Sequence, residues 1–277
     1  MTMPAALPGN DVVERILAAA DGATQVAPIS DADPHFDVER AYEALASLHA
    51  RREAQGWRAV GRKIGFTNRT IWPRYGVYRP MWSMVWDRTV VHAPSGSATV
   101  DIARLHEPRI EPEVVFGLAS PLPREGDARA MLDAVAWIAA GFEIVHSVFP
   151  GWKFRAADCT AAFGLHGRLV VGTPTPIGAD ERDALFAMLP SFKVALRRDD
   201  MLVETGVGAN VLDSPAHALA HLRDVLASQP AFPALAAGEI VTTGTLTDAW
   251  PVAAGETWTS DYGSLPVRGL SLTIRAS

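Results

Sequence analysis

The sequence predicts an α+β protein, in which a helical N-terminal region (residues 1–60) precedes a strand-rich region (residues 61–277). Apolar residues recur at helical spacing through most of the first fifty positions. Farther along, segments such as Arg109–Phe116 and the run from 270 to 274 alternate in the manner of strands with one buried face. With 277 residues, the chain is long enough to bury a large core.

Composition and charge exclude several classes of protein. Hydrophobic residues at 48% and charged residues at 20% are ordinary for a globular domain. The net charge of −6 and the lack of a Lys/Arg stripe argue against nucleic-acid binding. No uninterrupted apolar run is long enough to span a membrane, and the N-terminus does not resemble a signal peptide, so we expect a cytoplasmic protein. Cys159 is the only cysteine, which excludes an intrachain disulfide, and with no partner base in view we expect it to be inert.

Two helices are predicted in the N-terminal region. The apolar face of the first comprises Val12, Val13, Ile16 and Leu17. The second begins at Asp37 and ends at Gly56, with Arg51 and Arg52 in its last turn, where the helix dipole favours cations. Neither helix carries a pattern typical of chemistry, so both are interpreted as packing and assembly elements.

The first strand of the second region, Val60–Thr67, places Lys63 between Gly61 and Gly65 on one face. A lysine without bulky neighbours leaves room for a ligand to approach the backbone. The alternative is a surface lysine that protects a weak strand edge.

Residues 70–90 are rich in large aromatic side chains interrupted by Pro and Gly. The aromatic residues are Trp72, Tyr75, Tyr78, Trp82 and Trp86. So many large apolar groups on an irregular segment indicate a loop over a pocket or an interface patch, and a core role is equally compatible with them.

The segment Arg109–Phe116 places Glu111 and Glu113 on the same face of a strand. Two such carboxylates repel each other unless a cation lies between them or one takes up a proton. A metal site is therefore one interpretation, and a solvent-facing edge strand, which Pro112 would suit, is the other.

A helix is predicted from Ala128 to Ala140, closed by Gly141. The following strand, Phe142–Ser147, places Glu143 between apolar neighbours, where a carboxylate is costly to bury unless it is paired or bound to a metal.

Small residues dominate the segment Ala156–Gly167, which contains Asp158 and Thr160. We interpret it as a tight turn that brings one acid close to a site. The G-V-G at 206–208 is not followed by a full G-x-G-x-x-G, so a dinucleotide site is unsupported. Ser214 and Pro215 begin another predicted helix.

Several motifs together resemble one known family. In chain order they are K-I-G-F-T at Lys63, Y-G at Tyr75, P-R-I-E-P-E at Pro108–Glu113, F-E-I-V at Phe142, A-A-D at Asp158, T-G-V-G-A at Thr205, S-P-A-H-A-L at Ser214 and G-E-I-V-T-T-G-T at Gly238. Over residues 37–275 the chain resembles the 2-keto-4-pentenoate hydratase and oxalocrotonate decarboxylase branch of the fumarylacetoacetate hydrolase superfamily.

This resemblance implies an α+β fold of mixed, rolled sheets with flanking helices, a catalytic domain over residues 61–277, and a homo-oligomer. It implies one divalent metal held by Glu111, Glu113 and Glu143, and three hard carboxylates favour Mg²⁺ or Mn²⁺. Lys63 and Asp158 are the expected catalytic residues. The expected substrate-binding residues are Tyr75, Trp82, Thr160, Thr243, Gly244 and Thr245.

The resemblance implies a small 2-oxo or 2-hydroxy acid as substrate. A hydratase would add water to a 2-hydroxy-dienoate or 2-oxo-enoate of aromatic-compound catabolism, through an enolate that the metal stabilises. Alternatives are an oxalocrotonate decarboxylase, a C–C bond hydrolase of the same superfamily, and a metal-binding assembly protein without catalysis. A hydrolase would need a general base, and no histidine stands beside an acid in a plausible place.

The chain departs from the family pattern at Arg74, at Arg79-Pro80 and at Cys159, where relatives commonly carry acidic or small polar residues, or asparagine. These departures leave the metal triad intact. With the aromatic residues of the 70–90 segment, the two arginines predict a substrate with a longer or acidic distal tail.

Overall fold

A computed structural model describes residues 9–277, apart from the side chains of residues 9, 10, 74 and 75. Within these residues the chain forms eight α-helices and several short 3₁₀ turns. The helices are α1 (Gly9–Gly22), α2 (Ile29–Ala32), α3 (Val38–Ala54), α4 (Trp72–Tyr75), α5 (Ala128–Met131), α6 (Ala156–Ala161), α7 (Arg182–Met188) and α8 (Pro215–Ala227). None of them is long and apolar enough to cross a membrane.

The same residues form fourteen strands in two sheets. The strands are β1 (Ala59–Gly65), β2 (Met81–Trp86), β3 (Val90–His92), β4 (Ser97–Asp101), β5 (Arg109–Leu118), β6 (Val135–Val145), β7 (His166–Val171), β8 (Thr175–Pro176), β9 (Lys193–Arg198), β10 (Met201–Val207), β11 (Ile240–Thr242), β12 (Trp250–Pro251), β13 (Thr257–Asp261) and β14 (Ser271–Arg275).

Both sheets are mixed. The larger has the order β2-β1-β11-β5-β6-β7-β3, with β12 added beside β5 and β8 beside β6. Its β1–β11 and β3–β7 pairs are parallel, whereas β5 and β6 form a long antiparallel pair at the centre. The smaller sheet has the order β10-β9-β13-β14-β4. The predicted α+β class with mixed sheets and flanking helices is thereby confirmed.

The N-terminal helices pack on the same core as the sheets. Ile16 of α1 and Leu45 of α3 are fully buried in one apolar cluster with Phe142 of β6. Asp37 caps α3, because its side chain accepts a hydrogen bond from the Arg40 N–H. Both predicted N-terminal helices are present, and their apolar faces cover the sheet rather than solvent.

The predicted helix from Ala128 to Ala140 is wrong beyond its first turn and a half. After α5 and one 3₁₀ turn, the chain enters β6 at Val135 and stays extended to Val145. Nearly every residue of β6 is buried on both faces, so its apolar residues form an almost continuous run. Such a run cannot be distinguished from a buried helix by periodicity alone.

Part of the aromatic segment forms the strand β2. This strand is buried at every position, and Trp82 within it is only 1% exposed. The Trp82 ring stacks on Tyr42 and meets Phe232 edge-on, and its indole N–H donates to Gln229. Trp82 therefore belongs to the core, and its position gives the predicted substrate contact no support.

The positions of Trp86 and Arg79 give the predicted longer or acidic substrate tail no support. Trp86 is buried in β2, and Arg79 forms a surface ion pair with Glu39. The side chains of Arg74 and Tyr75 lie outside the described residues, so the expectations placed on them stay predictions.

The segment predicted as a tight turn is instead the helix α6 followed by a 3₁₀ turn. The Asp158 side chain accepts a hydrogen bond from the Arg155 N–H, which caps this helix. Small residues allow α6 to pack closely against α3 and β2. Composition alone did not separate a short buried helix from a turn.

Candidate metal centre

The central strand pair brings three glutamates together. In the β5–β6 register, Glu111 lies opposite Glu143, and Glu113 lies opposite Gly141. Each glutamate offers one carboxylate oxygen, and these three atoms all lie within 4.8 Å of one another. Two residues from one strand and one from its partner thus converge on a single point, since side chains at i and i+2 share a face.

The strand β5 is central rather than the edge strand that was the alternative prediction. Pro112 is accommodated because β11 pairs with β5 only as far as Val115, and β12 pairs only at Ile110 and Arg109. Between them, the loop after β11 lies beside β5, and the Leu246 N–H donates to the Pro112 carbonyl. No ladder partner requires the N–H that proline lacks.

The two carboxylate oxygens of Glu113 differ in their hydrogen bonding. The Thr242 hydroxyl and the Gly244 N–H, the latter at 2.7 Å, both donate to Oε2. Oε1 is buried and has no hydrogen-bond partner in the described part of the chain. Because a buried oxygen without a partner is costly, this atom marks a place for a cation or a hydrogen-bond donor.

Gly244 is required for this arrangement on two counts. Its φ of +103° lies in the region that L-residues with a side chain rarely adopt. A Cβ at this position would lie 1.9 Å from the Thr67 hydroxyl oxygen. The glycine thereby lets the backbone N–H reach Glu113.

Glu143 is held from two sides by groups of different chemistry. Lys63 Nζ lies 3.0 Å from Oε2, and His166 Nδ1 lies 2.7 Å from Oε1. Lys63 also donates to the Gly164 carbonyl at 2.9 Å, and His166 Nε2 lies 2.8 Å from the Thr89 hydroxyl. All of these groups are buried, so the carboxylate has little freedom to rotate.

The pKa values of the three glutamates and Lys63 are set by burial and by the charges of the neighbouring groups. Burial raises the pKa of Glu111 to about 7 despite the nearby Lys63. Burial, reinforced by the charges of Glu143 and Glu111, holds the pKa of Glu113 well above its usual range. Burial would also raise the pKa of Glu143, but Lys63 and His166 lower it to about 2. For Lys63, burial opposes the ammonium form, and the three carboxylates together raise its pKa.

These residues fit a divalent cation. When all three carboxylates are ionised, as metal binding requires, they and the Lys63 ammonium carry charges of −3 and +1, which leaves −2 in the site. A divalent ion would balance that charge, and carboxylate oxygens are the hard donors that such ions prefer. Glu113 Oε1 supplies an oxygen to which no group of the described residues donates a hydrogen bond.

A cleft leads from solvent to this centre. Lys63, Glu111 and Thr245 line it near the acids, and Arg109 and Asp248 also contribute to its wall. The remaining lining is mostly apolar and includes Phe66, Ile71, Met81, Val145, Trp152 and Phe154. The cleft therefore combines a charged end with an apolar wall, as small-molecule sites do.

Several other residues predicted for the site lie elsewhere. Asp158 does not line the cleft, because its oxygens accept hydrogen bonds from the Ser30 N–H and hydroxyl and from the Arg155 N–H. Its position gives the predicted catalytic role no support. The hydroxyls of Thr160 and Thr243 donate to backbone carbonyls, those of Ala156 and Val114, and neither residue faces the cleft.

Cys159 lines the cleft, and burial raises the pKa of its thiol to about 12. The thiol is therefore protonated at neutral pH, in keeping with the inert role expected for it.

Sequence reasoning did not single out His166, Thr242, Trp152 or Asp248. Their places at the metal centre and in the cleft follow from the fold, and none of the four stands in a spacing that predicts chemistry. Trp152 follows a proline–glycine turn and has a positive φ of 57°, which the sequence signals only as irregular backbone.

No family model matches the chain. The chain is 30% identical over 244 residues to 2-hydroxyhexa-2,4-dienoate hydratase of Comamonas testosteroni, with 88% of this chain and 89% of the relative covered. It is also 30% identical over 233 residues to 4-oxalocrotonate decarboxylase of Pseudomonas sp. strain CF600, with 84% of each covered.

Solved structures agree with these relatives. The chain matches 4-oxalocrotonate decarboxylase from Pseudomonas putida G7, complexed with magnesium and adipate, with a TM-score of 0.85 at 25% identity, covering 97% of this chain and 98% of that one. Fumarylpyruvate hydrolase from Pseudomonas aeruginosa, in complex with Mn²⁺ and pyruvate, matches with a TM-score of 0.57 at 14% identity, covering 79% and 90%. The second likeness concerns the fold alone.

Proposed function

Because the chain belongs to the 2-keto-4-pentenoate hydratase and oxalocrotonate decarboxylase branch of the fumarylacetoacetate hydrolase superfamily, we propose that it is a metal-dependent hydro-lyase. It adds water to a 2-hydroxy-dienoate or its 2-oxo-enoate tautomer. The observation that carries the proposal is the convergence of three buried glutamates beside Lys63, with Glu113 Oε1 left without a partner.

Glu111, Glu113 and Glu143 would hold Mg²⁺ or Mn²⁺. Either ion, once bound, would polarise the C1 carboxylate and C2 oxygen of the substrate and stabilise the negative charge that develops there. Two of the three acids are fixed by hydrogen bonds from the protein, which keeps the ligand set in place before any ion arrives.

Lys63 binds the substrate carboxylate in this proposal. Its ammonium has three N–H donors, of which one goes to the Gly164 carbonyl and one contacts Glu143. The remaining N–H is available to an anionic substrate in the cleft that Lys63 lines. Because its pKa is raised, Lys63 acts as a cation and hydrogen-bond donor rather than as a base.

The apolar part of the cleft would hold the diene and limit the access of water to it. Phe66 and Ile71 approach from the β1–α4 segment, and Trp152 and Phe154 from the segment before α6. A decarboxylase would use the same charged end, since it also forms an enolate, and the similarity to 4-oxalocrotonate decarboxylases keeps it as the second candidate. The described lining contains no histidine to serve as the general base of a C–C bond hydrolase.

Turnover of two substrates tests the proposal. Mg²⁺-loaded protein should convert 2-hydroxypenta-2,4-dienoate to a 4-hydroxy-2-oxo acid, which is measured as a loss of the ultraviolet absorbance of the dienoate. A chelator should stop the reaction. Release of carbon dioxide from 2-oxo-3-hexenedioate would identify the decarboxylase instead. If neither substrate nor a longer-tailed analogue changes, and the chelator has no effect, the hydro-lyase proposal is wrong.

A further inference from the structure

A second cavity lies between the N-terminal helices and the larger sheet. Its volume is about 240 Å³, and no residue that lines it also lines the cleft. Because one water molecule occupies about 30 Å³ of the liquid, this cavity has room for a small organic molecule. We call it the basic cavity, since three arginines contribute to its wall, Arg52 of α3, Arg104 of the β4–β5 loop and Arg168 of β7.

Two positive charges in the basic cavity have no carboxylate in contact. Arg52 pairs with Asp21, which is the only acid among the described residues that line the cavity. Arg104 and Arg168 form no ion pair within the described part of the chain. Arg104 donates a hydrogen bond to the Asp21 carbonyl, and Arg168 donates one to the carbonyl of its neighbour Gly167. A guanidinium carries five N–H donors, so both groups keep donors for a ligand.

The charge of Arg168 is held in a half-buried position. Burial lowers the pKa of its guanidinium, and Asp101, which acts in the opposite direction, is not in contact with it. A cation that has lost part of its hydration without gaining a partner is stabilised by an anion that enters the same space. Arg104 is exposed and Arg168 lies deeper, so the two arginines line the cavity at different depths.

The rest of the wall is suited to an apolar and flat group. Trp57, Trp86 and Phe163 line the basic cavity. The rings of Trp57 and Trp86 meet edge-on, with their centroids 6.3 Å apart, and the Trp86 indole N–H has no acceptor among the described residues. An inorganic anion would leave these aromatic surfaces without a contact. A ligand with a charged head and an aromatic body would use both parts of the wall.

The basic cavity is adjacent to the metal centre through His166 and Thr89, which both line it. Nδ1 of His166 lies 2.7 Å from the Glu143 carboxylate, and Nε2 lies 2.8 Å from the Thr89 hydroxyl. The unpaired charges of Arg104 and Arg168 oppose a divalent cation at the glutamates, because like charges repel strongly where water is scarce. An anion bound to these arginines would remove that repulsion.

We propose that the basic cavity binds a small aromatic carboxylate, and that this effector strengthens the binding of a divalent cation by the three glutamates. The carboxylate would pair with Arg104 and Arg168, and the ring would pack against Trp57 and Phe163. The inference goes beyond the proposed function, since the effector occupies a cavity separate from the cleft, whatever reaction the cleft catalyses.

Calorimetric titration of the metal-free protein tests the site with benzoate, its neutral analogue benzamide, and inorganic phosphate. Benzoate should bind one site per chain. Benzamide, which lacks the charge, and phosphate, which lacks the ring, should each bind about tenfold or more weakly. Arg104→Met and Arg168→Met should each weaken benzoate binding by a similar factor, with thermal melts as the control for folding. Arg109→Met removes a cation from the cleft instead and should leave benzoate binding unchanged.

Titration with Mg²⁺ tests the coupling between the two sites. Benzoate at a saturating concentration should tighten Mg²⁺ binding about fivefold or more in the wild type and in Arg109→Met, and the same concentration should have no effect in Arg168→Met. The proposal is overturned if benzoate does not bind, or if benzamide or phosphate binds as tightly. It is also overturned if benzoate affinity survives in Arg104→Met and Arg168→Met, or if benzoate leaves the Mg²⁺ affinity of the wild type unchanged.

Discussion

At the scale of single residues, Glu143 shows how the fold prepares a ligand for a cation. Lys63 and His166 contact different oxygens of its carboxylate, and the Thr89 hydroxyl lies against the far nitrogen of the His166 ring. The chain of contacts fixes the ring, and the ring fixes the carboxylate. Partners behind a metal ligand commonly set both its orientation and the affinity of the site.

Replacing His166 tests this orienting role. His166→Phe removes the contact to Glu143 Oε1 and should weaken Mg²⁺ binding about 10- to 100-fold, the usual effect of losing such a partner. His166→Asn, which can still present an N–H near the position of Nδ1, should recover much of the affinity. Calorimetric titration with Mg²⁺ is the measurement, with a thermal melt of each variant as the control for folding. Wild-type affinity in the phenylalanine variant would refute the role.

The raised pKa values of Glu111 and Glu113 give a second prediction. In the metal-free protein Glu111 has a pKa of about 7 and that of Glu113 lies well above the usual range, so both bind protons near neutrality. A cation must displace those protons, and its affinity should therefore fall as the pH drops from about 8 to about 6. Titration in two buffers of different ionisation enthalpy should reveal proton release on binding. Affinity that does not change with pH, with no proton release, would contradict this.

At the scale of elements, the sequence predicts structural features that depend on one segment alone. It misses features that depend on the segments packed against it. Alternation in β5 placed Glu111 and Glu113 on one face correctly, because a strand has a fixed period. It did not identify β6 as a strand before Phe142, since a strand buried on both faces lacks alternation. Nor did it show that β2 is a strand buried at every position, in which Trp82 packs on Tyr42 and not on a ligand.

The reassignment of Trp82 to the core can be tested against Trp152 of the cleft. Trp82→Ala should cost about 3–5 kcal/mol of unfolding free energy, because it empties a fully buried aromatic site. Trp152→Ala, at a partly exposed position, should cost less and should raise KM instead. Denaturant unfolding and steady-state kinetics on the same samples separate the two effects. A large rise in KM for Trp82→Ala without loss of stability would return Trp82 to the binding site.

At the scale of the whole molecule, the metal centre is assembled from segments far apart in sequence. Lys63 of β1, Glu113 of β5, Glu143 of β6 and Thr242 of β11 meet only because the larger sheet orders these strands side by side. The local pattern could not supply the order of the strands; the resemblance to the family supplied the ligand set instead. The division at residue 60, the homo-oligomer and the cytoplasmic location stay predictions.

The central claim is that three buried carboxylates form the binding site of a catalytic divalent cation, and Glu113→Gln tests it most directly. The amide oxygen can still accept the hydrogen bonds from Thr242 and Gly244, so the fold should persist. Because the raised pKa of Glu113 already favours its neutral form in the metal-free protein, a neutral amide there should leave that protein no less stable. Calorimetric titration of both proteins with Mg²⁺ should show one site per chain in the wild type and little or no binding in Glu113→Gln, with loss of dienoate turnover. Wild-type Mg²⁺ affinity and turnover in the folded variant would contradict the claim.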